Sequence, residues 1–382
     1  MVAQRPPFSV LIIAGTRPEM LKLAPVISTF RAEPDWHVRF VATAQHRDLL
    51  DQALERFDLR PDADLDLMRA AQTSIDFTSR ALPAVAAEIE NARPDLVIVQ
   101  GDTNTAVVGA LAAFHLQVPV GHVEAGLRSH DLRNPYPEEA NRRVISQVAS
   151  LHFAPTQTNR RNLMAEGVDP GLVVVTGNPI VDALNEVLAG LEPSRAADDA
   201  PGDSSAPRLV LVTLHRRETI GTALEKMCDA LVDLVETHAH VSLVWPVHPN
   251  PAVRKTVLER CGGVDRIRLI DPVNYLEFVK LMCEADLIVS DSGGVQEEAP
   301  TVGTPLLVAR DVTERPEVIE CGAARLIGRS PERLLAEATE LLTDQRAYAT
   351  MLNKENPYGD GRAAENIVAA ANAFVRRQRS PC

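Results

Sequence analysis

Acidic and basic side chains recur in this chain at short spacings that suit proton transfer and anion binding. Asp102 follows Gly101, Glu124 follows Val123, and Glu138 and Glu139 precede Arg142 and Arg143. Grouped carboxylates raise one another's pKa and can divide the roles of acid and base. Arg17 and Lys22 fall near a helix start, where cations are unfavourable unless an anion compensates them, so this segment points to an anionic ligand. His215-Arg216-Arg217-Glu218 forms a second dense cluster, read as ligand-binding or catalytic rather than core, whereas His248 fits either role. Asp291-Ser292-Gly293-Gly294 reads as a strand end, a tight glycine turn and a helix start. Adjacent glycines admit close backbone approach, and the unpaired N–H groups of a helix start suit a diphosphate. Glu298, four residues after Gly294, lies on the same helix face and can accept bonds from ribose hydroxyls. Each motif also has a plain structural alternative. Acidic residues near a helix start complement its dipole, and Glu138–Arg142 and Glu139–Arg143 are i,i+4 pairs of the kind that stabilise any exposed helix.

Position is what lifts these clusters above the plain readings. Val10–Ile13 runs into Gly15-Thr16-Arg17-Pro18-Glu19, Leu96–Val99 into Gly101-Asp102-Thr103, and Val118–Val123 into Glu124-Ala125-Gly126-Leu127-Arg128. Leu209–Val212 meets His215, Leu243–Val247 meets His248, and Leu287–Val289 meets Asp291. Short β-branched runs separated by helical stretches are predicted to be parallel strands of an α/β sheet, whose ligands bind beyond the strand carboxyl ends.

At 382 residues the chain exceeds one ordinary core, so two domains are expected. Residues 192–207 are rich in turn formers and form the linker or surface-loop candidate. The halves echo one another faintly, which suggests two doubly wound domains facing across a cleft; the last helix, Arg362–Arg377, can pack on either. A net charge of -13 argues against a nucleic-acid partner. The five scattered cysteines suggest neither a disulfide framework nor a zinc site, and no histidine spacing suits a metal. No G-x-G-x-x-G or Walker sequence offers a seat for a dinucleotide or a nucleoside triphosphate. Without a signal-like or membrane-spanning segment, a cytoplasmic location is expected.

These motifs recur in a recognisable order. To those above are added Gln45-His46-Arg47, Pro137-Glu138-Glu139-Ala140-Asn141-Arg142, Asp291 through Pro300, and Thr313-Glu314-Arg315-Pro316-Glu317. From about Val10 to Gly328 the series closely resembles the bacterial non-hydrolysing UDP-N-acetylglucosamine 2-epimerases. The resemblance implies two Rossmann-like domains in a GT-B arrangement, residues 1–177 with 364–382 and residues 178–363, the second binding UDP. It further implies a homodimer, a last helix that returns to the first domain, and no cofactor or metal.

Carried over position by position, Asp102, Glu124, Glu138, Arg142 and His215 match the catalytic group. Arg17, Lys22, Phe278, Ser292, Gly293, Gly294, Glu298 and Arg315 match nucleotide and diphosphate contacts. Gln45 and Gln72 match a regulatory second-substrate site of some bacterial members, but Asp48 and Ala71 stand where Gln and Arg often occur, and losing a cation there should weaken it. Thr219 stands where Asn is common, and Tyr136 where Trp is frequent. The reaction implied is epimerisation at C2 of UDP-N-acetylglucosamine through loss and re-addition of UDP. Alternatives are a 2-epimerase for another UDP-2-acetamido sugar, a hydrolysing epimerase, a GT-B glycosyltransferase and a non-catalytic UDP-sugar sensor.

Overall fold

The computed structural model describes residues 8–43, 56–69, 72–191, 207–216, 218–352 and 354–379. Gln45, Asp48, Ala71, Arg217 and nearly all of the expected linker lie outside the described residues. The chain divides into two compact units, Met1–Ala183 with Tyr358–Cys382, and Leu184–Pro357.

In the first unit seven strands form one sheet: β1 (Phe8–Ala14), β2 (Trp36–Ala42), β3 (Ala63–Asp64), β4 (Leu96–Gln100), β5 (Val120–Val123), β6 (Leu151–Ala154) and β7 (Val173–Val175). Their spatial order is β3-β2-β1-β4-β5-β6-β7, and every pairing is parallel. The second unit holds β8 (Arg208–Thr213), β9 (Val241–Pro246), β10 (Ile267–Ile270), β11 (Leu287–Ser290), β12 (Leu306–Val308) and β13 (Ala324–Leu326). Its order, β10-β9-β8-β11-β12-β13, is again wholly parallel. Both are doubly wound, Rossmann-like sheets. In each, chain progression reverses beside the first strand of the unit, between β1 and β4 and between β8 and β11, and that reversal opens a crevice at the strand carboxyl ends.

Apolar continuity explains the strands. Val10 to Ala14 and Leu96 to Val99 are buried on both sheet faces, as parallel strands covered by helices require. The β5 ladder begins at Val120 rather than at Val118, since Pro119 has no N–H to donate.

The last helix, Ala363–Arg379, packs on the first unit. Its Ile367, Val368, Ala371, Phe374 and Val375 are buried, Asn372 accepts a 2.7 Å bond from the Trp36 indole, and Arg376 pairs with Asp35 at 2.7 Å. Asp182 secures its start by accepting from the amides of Ala363 and Ala364 at 3.1 and 2.8 Å. A carboxylate capping two orphan helix amides is worth about 1–2 kcal/mol, so Asp182→Ala should destabilise the first unit by that amount. Denaturant unfolding followed through Trp36 would measure it. Trp245→Phe removes the other indole reporter and costs no hydrogen bond, because the Trp245 indole nitrogen is buried with no partner among the described residues.

Candidate active site

Beyond the carboxyl ends of β1, β4 and β5 the first unit gathers its charges. Gly15 leaves β1 at a point that only glycine fits: an added Cβ would sit 2.2 Å from the Thr43 hydroxyl and 2.3 Å from that of Thr105. The helix Arg17–Ala32 starts immediately afterwards, and its second turn directs Lys22 to Glu124, Nζ to Oε1 2.6 Å. Glu124 leaves β5 in the left-handed backbone region, φ 64°, which non-glycine residues seldom occupy and which marks functional positions. Its other oxygen accepts from the amide of Gln100, the last residue of β4. Lys22, Gln100 and Glu124 are all buried. Lys22 was expected to serve an anionic ligand; here its compensating anion is a carboxylate of the protein itself.

Asp102 follows β4 and is about a quarter exposed, with a side-chain accessibility of 28%. The Arg142 guanidinium reaches it from the helix Glu138–Val148, Nη2 to Oδ2 2.5 Å, while the Asn141 amide donates to the Asp102 carbonyl at 2.8 Å. The expected i,i+4 pairing of Glu138 with Arg142 gives way to an i,i+3 pair of Arg142 with Glu139 at 3.1 Å. Glu138 retains a buried Oε2 with no hydrogen-bond partner among the described residues. Asp102, Glu124, Arg142 and Lys22 thus assemble on one sheet edge of one unit. Arg17, half-buried, opens the helix that carries Lys22.

Beneath these groups lies Glu19, fully buried in the Gly-Thr-Arg-Pro-Glu segment. It accepts from the Gly15 amide at 2.9 Å and from the Thr103 hydroxyl at 2.6 Å. That same hydroxyl accepts from Ala106 N at 3.0 Å and caps the helix after β4. Glu19 therefore ties the β1 loop to the residue beside Asp102. Burial pushes its carboxyl from 4.5 up to about 7, against the lowering effect of these bonds. Behind β5, burial pushes the His122 imidazole down to about 3, so it is neutral at pH 7 and its Nε2–H donates to the Gly101 carbonyl at 2.8 Å.

In the second unit the organising group is Asp291, fully buried at the end of β11. It accepts from the His215 amide at 3.1 and 3.0 Å, the Arg216 amide at 2.9 Å and the Thr219 hydroxyl at 2.9 Å. Thr219, the departure from the more common Asn, supplies a donor of its own. The His215 ring lies 3.6 Å from Asp291 through Nδ1 and stacks on His248, centroids 5.1 Å apart and planes 11° from parallel.

Ser292 precedes the helix Gly293–Val302 without capping it by its side chain. A Cβ at Gly293 would approach Arg315 to 2.7 Å, so glycine there makes room for the guanidinium, which Glu297 holds through Nε at 2.6 Å. Glu298 accepts from the Tyr275 hydroxyl at 2.7 Å, and half-buried Phe278 follows three residues on along the same helix, Tyr275–Glu284. Ser292, Gly293, Gly294, Glu298 and Arg315 thus cluster about the start of one helix, beside the turn that bears His215.

Sequence reasoning passed over Glu19, Gln100, Glu139, Tyr275 and Glu297 as site-building groups. All but Gln100 and Tyr275 lay inside quoted motifs, yet only burial separates them from surface acids. Gln72 lies away from these groups, on the Arg80 side chain at 2.6 Å. Among the described residues no group of three or more His, Cys, Asp or Glu is placed to hold a metal, and no helix is long and apolar enough to cross a membrane.

Two doubly wound parallel sheets with charged groups at their carboxyl ends define a Rossmann-like α/β protein. Residues 28–372 match the family profile of UDP-N-acetylglucosamine 2-epimerase. The chain is 48% identical over 370 residues to a probable UDP-N-acetylglucosamine 2-epimerase of Ralstonia nicotianae, covering 96% of this chain and 99% of that protein. It is 44% identical over 366 residues to the UDP-N-acetylglucosamine 2-epimerase of Escherichia coli K12, covering 94% and 97% respectively. The crystal structure of the Neisseria meningitidis UDP-GlcNAc 2-epimerase bound to UDP-GlcNAc matches with a TM-score of 0.90 and 39% identity, over 96% of this chain and 100% of that one. The chain belongs to the UDP-N-acetylglucosamine 2-epimerase family.

Glu19 carries a pH signature. Its folded value lies above its unfolded one, so between about pH 4.5 and 7 the folded chain holds an extra proton. The stability it contributes is present below about 4.5 and is lost as pH rises through about 7. Glu19→Gln mimics the protonated acid, its oxygen facing Gly15 and its amide facing Thr103. Relative to the parent, it should gain stability between pH 5 and 8, by roughly 3 kcal/mol at most, in paired unfolding curves. A difference that stays flat with pH would show that Glu19 does not titrate in this range.

Proposed function

We propose that this protein interconverts UDP-N-acetylglucosamine and UDP-N-acetylmannosamine without a cofactor, releasing no free sugar. The observation that carries this reading is the pairing of two carboxylates with two cations at one sheet edge, Glu124 with Lys22 and Asp102 with Arg142. Family membership supplies the nucleotide sugar, and the helix start at Gly293 with Arg315 and Glu298 suits its diphosphate and ribose.

The C2 hydrogen of the sugar has no neighbouring carbonyl to acidify it, so simple deprotonation would leave a poor carbanion. In the proposed path a carboxylate takes the C2 proton while the C1–O bond breaks, its electron pair leaving with the β-phosphate of UDP. The product is a 2-acetamidoglucal. UDP then re-adds at C1 as a second acid delivers a proton to C2 from the opposite face. Two proton-transfer groups and cations for the departing diphosphate are the requirements. Asp102, Glu124 and Glu138 are assigned to the first; Arg17 and Arg315 answer the second, His215 positions groups about the diphosphate, and Lys22 and Arg142 hold the carboxylates.

Proton NMR with UDP-N-acetylglucosamine in D2O tests this directly. Signals of UDP-N-acetylmannosamine carrying deuterium at C2 are expected. Free N-acetylmannosamine would instead establish hydrolysis, and an unchanged spectrum with UDP bound would exclude this substrate. Asp102→Asn and Glu124→Gln should each lower kcat by about 100-fold or more with little loss in calorimetric UDP affinity. An Asp102 variant with normal turnover would remove that residue from the chemistry.

A further inference from the structure

We infer that Glu139, although it touches no reacting atom, is a positioning residue that holds Arg142 on Asp102; the inference rests on the epimerase reading. As the second residue of its helix, four before Arg143, Glu139 has the pattern of an exposed helix acid. Instead its side chain is wholly inaccessible. A buried carboxylate is tolerated only where donors replace its lost water, and this one has three. Oε2 accepts from the Ser129 amide at 3.0 Å and from Arg142 Nη1 at 3.1 Å, and Oε1 from Arg143 Nε at 3.2 Å.

Arg142 is thereby divided between two acids, Nη1 on Glu139 and Nη2 on Asp102. A guanidinium held through one nitrogen has its plane and reach set before the other nitrogen meets its target. Without that hold, a long side chain bearing about 2 kcal/mol of rotamer entropy has no fixed aim, and Asp102 faces a moving cation.

The hold is itself buttressed. Arg143 also meets Glu166 at 3.4 Å, and Glu166 is gripped by both Nε and Nη2 of buried Arg128 at 2.8 and 2.7 Å. Arg128 donates to the Ser146 hydroxyl at 2.9 Å, which donates in turn to the Arg142 carbonyl at 2.9 Å. Three acids and three arginines alternate from Asp102 outward, so the chain of pairs is neutral as a whole. A helix-dipole role would need Glu139 only near the helix start; it would not need its oxygens turned inward onto Arg142 and the Ser129 amide.

Glu139→Gln keeps size and one acceptor but removes the charge that holds Arg142. We expect kcat to fall about tenfold or more with KM for UDP-N-acetylglucosamine changed less than about threefold. In an Arg142→Ala background the same change should cost less than about twofold, because its target is gone. A purely structural acid would cost the same in both backgrounds, and that additivity would overturn the inference. Crystal structures of the wild type and the variant give a readout independent of turnover. Arg142 is expected to leave Asp102 in the variant, and its retention there would overturn the inference even if the substrate reading were wrong. Should Glu139→Gln not fold, Glu139→Asp serves: it draws the charge back by one methylene and should act in the same direction with smaller size. An inactive wild type whose variant still shows the displaced arginine would refute the substrate and leave the positioning role intact.

Discussion

A carboxylate taken out of water must be given donors in its place, and the architecture of this protein follows that requirement at Glu124, Glu139 and Asp291. The penalty for an unpaired buried ion is several kcal/mol, and removing one partner of a buried pair costs about 3–5 kcal/mol. Glu124 is met by Lys22 and Gln100, Glu139 by two arginines and a backbone amide, and Asp291 by two backbone amides and a hydroxyl. Each set of donors includes at least one from a segment other than the one that bears the acid: Lys22 and Gln100 for Glu124, the Ser129 amide for Glu139, and the His215–Thr219 turn for Asp291. The acids therefore act as fasteners as well as chemical groups, and loops that would otherwise move independently are held in one arrangement.

The same logic repeats in both units because the topology repeats. Strand order reverses between β1 and β4 and between β8 and β11, and in each case an acid bridges the two loops that part there. Glu19 joins Gly15 after β1 to Thr103 after β4; Asp291 after β11 joins the His215–Thr219 turn after β8. The reversal opens the crevice, and the acid keeps its walls from separating. Glu19 receives a donor on each oxygen, yet burial outweighs these bonds and pushes its carboxyl up to about 7.

The positions of six strands, β1, β4, β5, β8, β9 and β11, and the placement of the candidate groups at their ends were legible in the sequence for one reason. A parallel strand buried on both faces must be an unbroken apolar run, so its end is visible as the first polar residue, and ligands gather at such ends. β3, two residues long, carries no such run and was not visible. Partnership was harder to read. Lys22 and Glu124 stand 102 positions apart, and nothing local to either announces the other. The Glu139–Arg143 pair was visible, but its spacing is shared by countless exposed helices; burial alone reverses its meaning.

The same reversal separates Glu139 from its neighbour Glu138. Glu138 and Glu139 are adjacent and chemically identical, yet a helix turns successive residues by about 100 degrees, so the two side chains cannot serve one place. Glu139 accepts from three donors of the protein. Glu138 keeps a buried Oε2 that has no hydrogen-bond partner among the described residues. Helix geometry thus separates the two neighbours: the Glu139 carboxylate is turned onto Ser129, Arg142 and Arg143, and Glu138 stands about 100 degrees around the helix from it.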